Sequence, residues 1–397
     1  MSRSTYELSE VIRRFLPRLP RSRLSVYHRQ TLETIRDCRT AVMGGHIDAC
    51  DSCGNIRVSY NSCRNRHCPK CQGLRKEMWI VKQEDMLLPV AYYHIVFTLP
   101  HELNGLCLYN PKLMYDLLFK SAWHALKKLS KDENLLGAQT AATMILHTWS
   151  QTLGLHPHVH CIVPDGGLNQ RGEWIYPKKG KGKANFLFPV KSMQKIFKGK
   201  FLYDLKRGLA RNELRLPPDF PEGYELRKWK DNLYGKDWVV YTKKPFSGVK
   251  SVVAYLGRYS HRVALTNRRI KEITQTQVTF EYKDYKDRAR KKLMTLTGEE
   301  FLSRFSLHIL PKGFRKVRQF GFLSNAVRKA RLAKARLFFG EKARPLLTRK
   351  ECRQVAAERL FGKKADVCSC CQKGKMISIG IWKRNKSPPA MLHILTT

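Results

Sequence analysis

The sequence predicts an α+β chain, and three features predict it. Residues 92–99 are β-branched and aromatic and stop at Pro100, the pattern of a buried strand. Residues 111–129 place Leu113, Leu117, Leu118, Trp123 and Leu126 at the spacing of an amphipathic helix. Two more strand patterns follow, 141–149 and 158–164, before the turn Asp165-Gly166-Gly167.

The flanking segments fill in the rest. A helical pattern over 6–16 is broken by Pro17 and Pro20. A second, over 27–40, leads into a polar, cysteine-rich stretch with too few apolar residues for a core of its own. Residues 177–185 are a Lys/Gly run and read as a basic loop. Helices are expected at 193–209 and 249–259, and strands at 238–242 and 278–282. The resulting division is 1–88, a cysteine-rich segment; 89–320, the domain that holds the strand patterns; and 321–397, a basic helical region with a short cysteine cluster.

Charge narrows the partner. Lysine and arginine number 75 against 32 acids, a net charge of +43. A compact chain so charged repels itself, and nucleic acid relieves this by releasing the counterions condensed on its phosphates. Ribosome-bound and membrane-surface proteins share such charge. No stretch reaches the roughly 18 apolar residues of a membrane span, and residues 1–10 carry no signal-peptide pattern. A cytoplasmic protein is expected, nucleoid-associated when bound to DNA. No acid occurs between Phe305 and Gly340. A helix over 324–339 would put Ala326, Ala330, Ala333 and Leu337 on one side and Arg328, Lys329, Arg331, Lys334 and Arg336 on the rest. Arg328 and Arg331 are the expected phosphate contacts.

Twelve cysteines in such a chain argue for metal before disulfides. Cys50-x-x-Cys53 and Cys68-x-x-Cys71 are the expected ligands of one structural Zn²⁺, since each pair can bite the ion from a tight knuckle. Cys63 and His67 could replace a ligand or complete a second site with His46, but read as spare residues. Cys368-Ser369-Cys370-Cys371 has no evident partner pair, His393 being a weak candidate. Cys38, Cys107, Cys161 and Cys352 read as packing or surface residues.

On a strand, His158 and His160 share a face and make half of a divalent-metal site. Alone, a His-x-His is weak. Tyr255 and Tyr259 would lie one helical turn apart. An aromatic core stripe has that spacing too, but Arg258, Ser260, His261 and Arg262 suit an anionic ligand better.

Together these segments resemble the two-tyrosine HUH transposases, and more closely the rolling-circle insertion-sequence family numbered ninety-one. The likeness rests on HIVFTLPHEL (94–103), HPHVHCIVPDGGL (156–168), the Tyr255–Tyr259 pair and RHCPKC (66–71), in that family's order, and spans roughly 10–340. It implies an HUH endonuclease fold, an antiparallel sheet flanked by helices. It also implies catalytic Mg²⁺ or Mn²⁺ on His158 and His160, with Gln151 or His156 as candidate third ligand. Tyr255 and Tyr259 would be the nucleophiles, making a 5′-phosphotyrosine on single-stranded or hairpin DNA ends, and Arg258 and Arg262 would contact the DNA. A replication initiator or relaxase would use the same chemistry; a zinc-dependent DNA-binding regulator would use none.

Overall fold

The computed structural model describes residues 5–178, 187–243, 246, 251–253, 255, 257, 263–342, 344–362 and 367–383. Leu8, Val11, Ile12 and Phe15 recur every three or four residues, so α1 (Leu8–Phe15) buries one stripe. Pro17 stops it. Ser25 opens α2 (Val26–Arg36), its hydroxyl accepting the His28 amide at 3.2 Å.

The chain then forms a ribbon, β1 (Gly45–Cys50) paired with β2 (Ile56–Tyr60), and a helix, α3 (Gln72–Glu84). The ribbon was not legible as strands, because Gly45, His46 and Asp48 in β1 and Arg57 and Ser59 in β2 leave no apolar run to mark it. Its other edge is closed by the last described strand, Met376–Trp382, antiparallel to β1.

The central sheet has five strands in the order β12-β4-β5-β3-β8, every neighbour antiparallel. These are β3 (Tyr92–Thr98), β4 (Ala141–Trp149), β5 (Leu155–Pro164), β8 (Val240–Thr242) and β12 (Val317–Gly321). A two-strand ribbon, β6 (Gly167–Leu168) with β7 (Trp174–Ile175), follows β5. Side chains alternate across the sheet. Ile95, Phe97, Met144, Leu146, Val159, Cys161 and Val163 face a core built with α4 (Asn104–Tyr109), α5 (Pro111–Lys131), α6 (Val190–Ala210) and α7 (Gly223–Gly235). Tyr92, Ile145 and Ile162 face the other side, where Met86, Val252, Tyr255, Phe322 and Leu332 cover them. The antiparallel sheet between helices is the α+β architecture expected of an HUH fold.

A third core joins distant segments. α1 and α2 pack on a three-stranded sheet of β9 (Ile270–Ile273), β10 (Gln277–Asp284) and β11 (Arg290–Thr297), and on the helix Gly298–Ser306. Phe15 lies so close to Gly298 that a Cβ there would sit 2.1 Å from its ring, so the position needs glycine. The cores thus tie residues 8–38 to 264–309, and pairing ties β1 to the C-terminal strand. Among the described residues no helix is long and apolar enough to cross a membrane.

Candidate active site and metal centres

Register builds the histidine cluster. In the antiparallel β4–β5 pair, His147 stands opposite His158, and residues directly opposite share a face. His160, two residues along β5, lies on that face too. In β3, His94 stands opposite Ile162, again the same face. The ligand nitrogens of His147, His158 and His160 all lie within 4.8 Å of one another. His147 and His160 are buried, and His158 is half-buried.

Hydrogen bonds orient the rings. His158 Nδ1–H donates to the His156 carbonyl at 2.6 Å, which leaves Nε2 with its lone pair. Three atoms then meet in a triangle: Tyr255 Oη is 2.6 Å from His94 Nε2 and 3.2 Å from His160 Nδ1, and the two nitrogens are 2.9 Å apart. Burial, then the positive Lys243, pushes His94 down to about 3, so it is neutral, and in the Nδ1–H tautomer its Nε2 accepts the phenol hydrogen. His160 Nδ1 is the third corner of that triangle. Tyr255 is held from its own helix, of which residues 251–253, 255 and 257 are described. Val252 and Tyr255 are buried against the sheet, with the Phe246 ring centroid 5.0 Å away. Tyr259, Arg258 and Arg262 lie outside the described residues.

The third nitrogen of the cluster comes from His147. His156, one of the two candidates from sequence, is not part of that group. Gln151 lies at the tip of the β4–β5 hairpin, where its carbonyl accepts Arg269 Nη2 at 2.5 Å. His156 is exposed, and its carbonyl serves to orient His158. His147 was missed because only strand register reveals that it faces His158.

The cysteines also regroup. The expected set of Cys50, Cys53, Cys68 and Cys71 is split between two clusters. Cys68 and Cys71 meet Cys38 and Cys63, with Cys71 Sγ 3.1 Å from Cys38 Sγ and 3.4 Å from Cys63 Sγ. Cys38, expected to be ordinary packing, closes this group from the end of α2, and Cys63, expected to be spare, joins it from the loop after β2. Cys50 and Cys53 sit at the far end of β1 and meet Cys368 and Cys371. The 368–371 pair therefore does have a partner pair; His393 lies outside the described residues. His67 belongs to neither group. Its Nε2 accepts the Leu310 amide at 3.3 Å, and burial pushes it down to about 3. Cys107 and Cys161 are wholly buried in the first core, which raises both thiols.

Basic residues line a groove of about 890 Å³ beside β12. Lys82 of α3, Lys112 and Lys120 of α5, and Arg315, Arg318 and Arg328 border it, with Trp79 and Phe314 among them. Arg328 is positioned there by Gln319 and Asn325 at 3.1 and 2.7 Å. Arg331 is half exposed on the helix Arg328–Phe338. The expected apolar side of that helix is corrected: Leu337 is exposed, while Leu332 and Ala335 are buried. Arg336, expected on the cationic face, is only 2% exposed and donates to the carbonyls of Asp85 and Arg344. A charged side chain stays inside only when paired, and Asp85 supplies the partner.

Known proteins place this arrangement. Residues 141–331 match the family model described as "Putative transposase", and residues 8–99 match the "Transposase zinc-binding domain". The chain is 38% identical to "Putative transposase y4qJ" of Sinorhizobium fredii, over 98% of both chains. It is 29% identical to the "Transposase for insertion sequence element IS801" of Pseudomonas savastanoi pv. phaseolicola, over 75% of this chain and 70% of that one. No solved structure matches it. A matching zinc-binding segment, a matching transposase segment and a full-length relative agree, and the chain belongs to the transposases of insertion-sequence family ninety-one, DNA-cleaving enzymes with an N-terminal zinc-binding domain.

Proposed function

We propose that this transposase nicks and rejoins single DNA strands at the ends of its element, with Tyr255 and Tyr259 as nucleophiles. The observation that carries the reading is the contact between the Tyr255 hydroxyl and His160, a member of the three-imidazole cluster. In the proposed step Tyr255 Oη attacks phosphorus and the P–O3′ bond breaks. The products are a 5′-phosphotyrosine and a free 3′-OH. His94 Nε2 takes the phenol hydrogen as the Oη–P bond forms, and the departing 3′-oxygen takes a proton from solvent water, to which His94 then releases its own. The covalent link conserves the bond energy, so rejoining needs no nucleotide. Tyr259, four residues further along the chain, would permit a second cut while the first link persists.

The donor set of His147, His158 and His160 fits a divalent cation: three imidazole nitrogens converge within 4.8 Å of one another. Bound there, Mn²⁺ or Mg²⁺ would polarise a phosphate oxygen as a Lewis acid, with imidazole favouring Mn²⁺. Cys38, Cys63, Cys68 and Cys71 are the proposed ligands of the zinc in the N-terminal domain.

The substrate we propose is single-stranded or hairpin DNA. The groove beside β12 mixes cations with aromatic rings, which suits a phosphate backbone whose bases are splayed and stacked. The test is a nicking assay on single-stranded element ends with Mn²⁺, reading covalent protein–DNA adducts. Wild type should form them, and the Tyr255→Phe/Tyr259→Phe variant should not. Adducts that persist in the double variant would refute the nucleophile assignment. DNA binding without nicking under any divalent cation would leave a non-catalytic binder instead.

A further inference from the structure

The second cysteine group joins residues more than 300 positions apart, and nothing in the family match, which ends at residue 331, reaches its C-terminal half. We propose that Cys50, Cys53, Cys368 and Cys371 form a second tetrahedral zinc site, separate from that of Cys38, Cys63, Cys68 and Cys71, which staples the C-terminal strand to the N-terminal ribbon.

Distances fit the ion. With Zn–S bonds of about 2.3 Å, the edge of a regular tetrahedron of sulfurs is about 3.8 Å. Cys50 Sγ lies 3.7 Å from Cys371 Sγ, and Cys53 Sγ lies 3.7 Å from Cys368 Sγ. These are far beyond the roughly 2.05 Å of a disulfide.

Both pairs are built as thiolate knuckles. Amides of Ser52 and Cys53 point at Cys50 Sγ at 3.4 and 3.5 Å; those of Cys370 and Gly374 point at Cys368 Sγ and Cys371 Sγ at 3.3 and 3.4 Å. Such donors stabilise the charged sulfur that a metal requires. In each knuckle the residue after the second cysteine turns through positive φ, Gly54 at 70° and Gln372 at 54°. The knuckles also interlock: a Cβ on Gly374 would come within 2.4 Å of Cys50 Sγ, and Lys375 N–H donates to Asp51 Oδ1 at 2.8 Å.

The ribbon needs the staple. Its buried apolar core is Ile47 and Trp382, with Val58 half-buried against them. The C-terminal strand leaves Ile377, Ile379 and Ile381 more than half exposed. Burial this small does not offset the ordering of a strand, and in small modules a metal supplies the difference.

The full chain should be prepared with cobalt in place of zinc, in a His158→Ala/His160→Ala background so that the histidine cluster takes none. The parent should bind two cobalt ions per chain, both with thiolate-to-cobalt absorption. Cys368→Ser/Cys371→Ser should bind one, with half the absorption, and Cys370→Ser should keep two. Proteolysis should release the segment after the helix Arg349–Phe361 only in the Cys368→Ser/Cys371→Ser variant. Should that variant not fold, titration of the unsubstituted background decides: thiolate absorption saturating at two equivalents supports the site. Saturation at one equivalent, or two ions retained after Cys368→Ser/Cys371→Ser, overturns it.

Discussion

Tyr255 Oη lies 2.6 Å from His94 Nε2, and the His94 ring stacks 5.2 Å from that of His160. One buried, neutral imidazole therefore bridges the phenol and the histidine cluster. If it takes the phenol hydrogen in the proposed attack, His94→Ala should slow adduct formation by about 10²-fold, the usual span of a lost proton acceptor. DNA affinity should not change. His94→Gln, whose amide oxygen can accept the phenol hydrogen, should recover part of the rate. Single-turnover adduct formation, read beside a binding isotherm, checks this; equal loss of rate in both variants would indicate a packing role.

His147→Ala tests the third nitrogen. Removing one of three imidazoles should raise the Mn²⁺ concentration for half-maximal nicking at least ~10-fold, given that even outer-shell changes cost 10–100-fold. Gln151→Ala should leave it unaltered, since that residue contributes its carbonyl to Arg269. A metal titration of the nicking rate separates the two.

What sequence could show was local. The alternation around His158 and the bounds of β4 follow from side-chain types; β4 forms over the expected residues, and β5 ends where expected but begins three residues earlier, at Leu155. Which residue of β4 opposes His158 depends on the turn at 150–154, where Leu153 adopts φ 63° and Ser150 closes on Gly154 at 2.9 Å. No composition rule sets that register. The knuckle motifs were equally visible, but which pair meets which depends on a chain that returns to β1 after residue 367. Helix phase failed at Arg336 because its partner, Asp85, lies 251 residues away.

Cys38→Ser should release zinc from the N-terminal domain and expose α2 to protease, because it removes one of four grouped sulfurs. Cys161→Ser, in the first core, should keep the metal. Metal analysis after dialysis distinguishes them; full zinc retention in Cys38→Ser would exclude it as a ligand.

Arg336 and Arg328 lie on one helix but should behave oppositely. Arg336→Ala leaves the buried carbonyl of Asp85 without its donor, while the Asp85 carboxylate keeps Arg344, and should destabilise the fold by about 2 kcal/mol, with the salt slope of DNA binding unaltered. Arg328→Ala, at the groove, should reduce that slope by about 1 and leave the melting temperature nearly unchanged. Thermal melts and binding across a salt series measure both.

His308 ties the register of the site to pH. Its Nε2–H donates to the Leu153 carbonyl at 3.0 Å, and its Nδ1 accepts the Thr148 hydroxyl at 3.2 Å, so it clamps the β4–β5 hairpin that aligns His147 with His158. Burial pushes it down to about 4, against the opposing pull of that carbonyl. Between about pH 4 and the ordinary histidine value near 6.5, the unfolded chain holds a proton that the folded chain does not. This contribution is thus complete above pH 6.5 and is lost as pH falls toward 4, at up to about 1.4 kcal/mol per pH unit. The urea midpoint should drop between pH 7 and pH 5, and His308→Gln, which has no proton to gain, should shrink the drop. The same variant should keep the hairpin's donor to Leu153, so nicking at pH 7 should survive; an acid-induced drop of undiminished size would place the titration on other buried histidines.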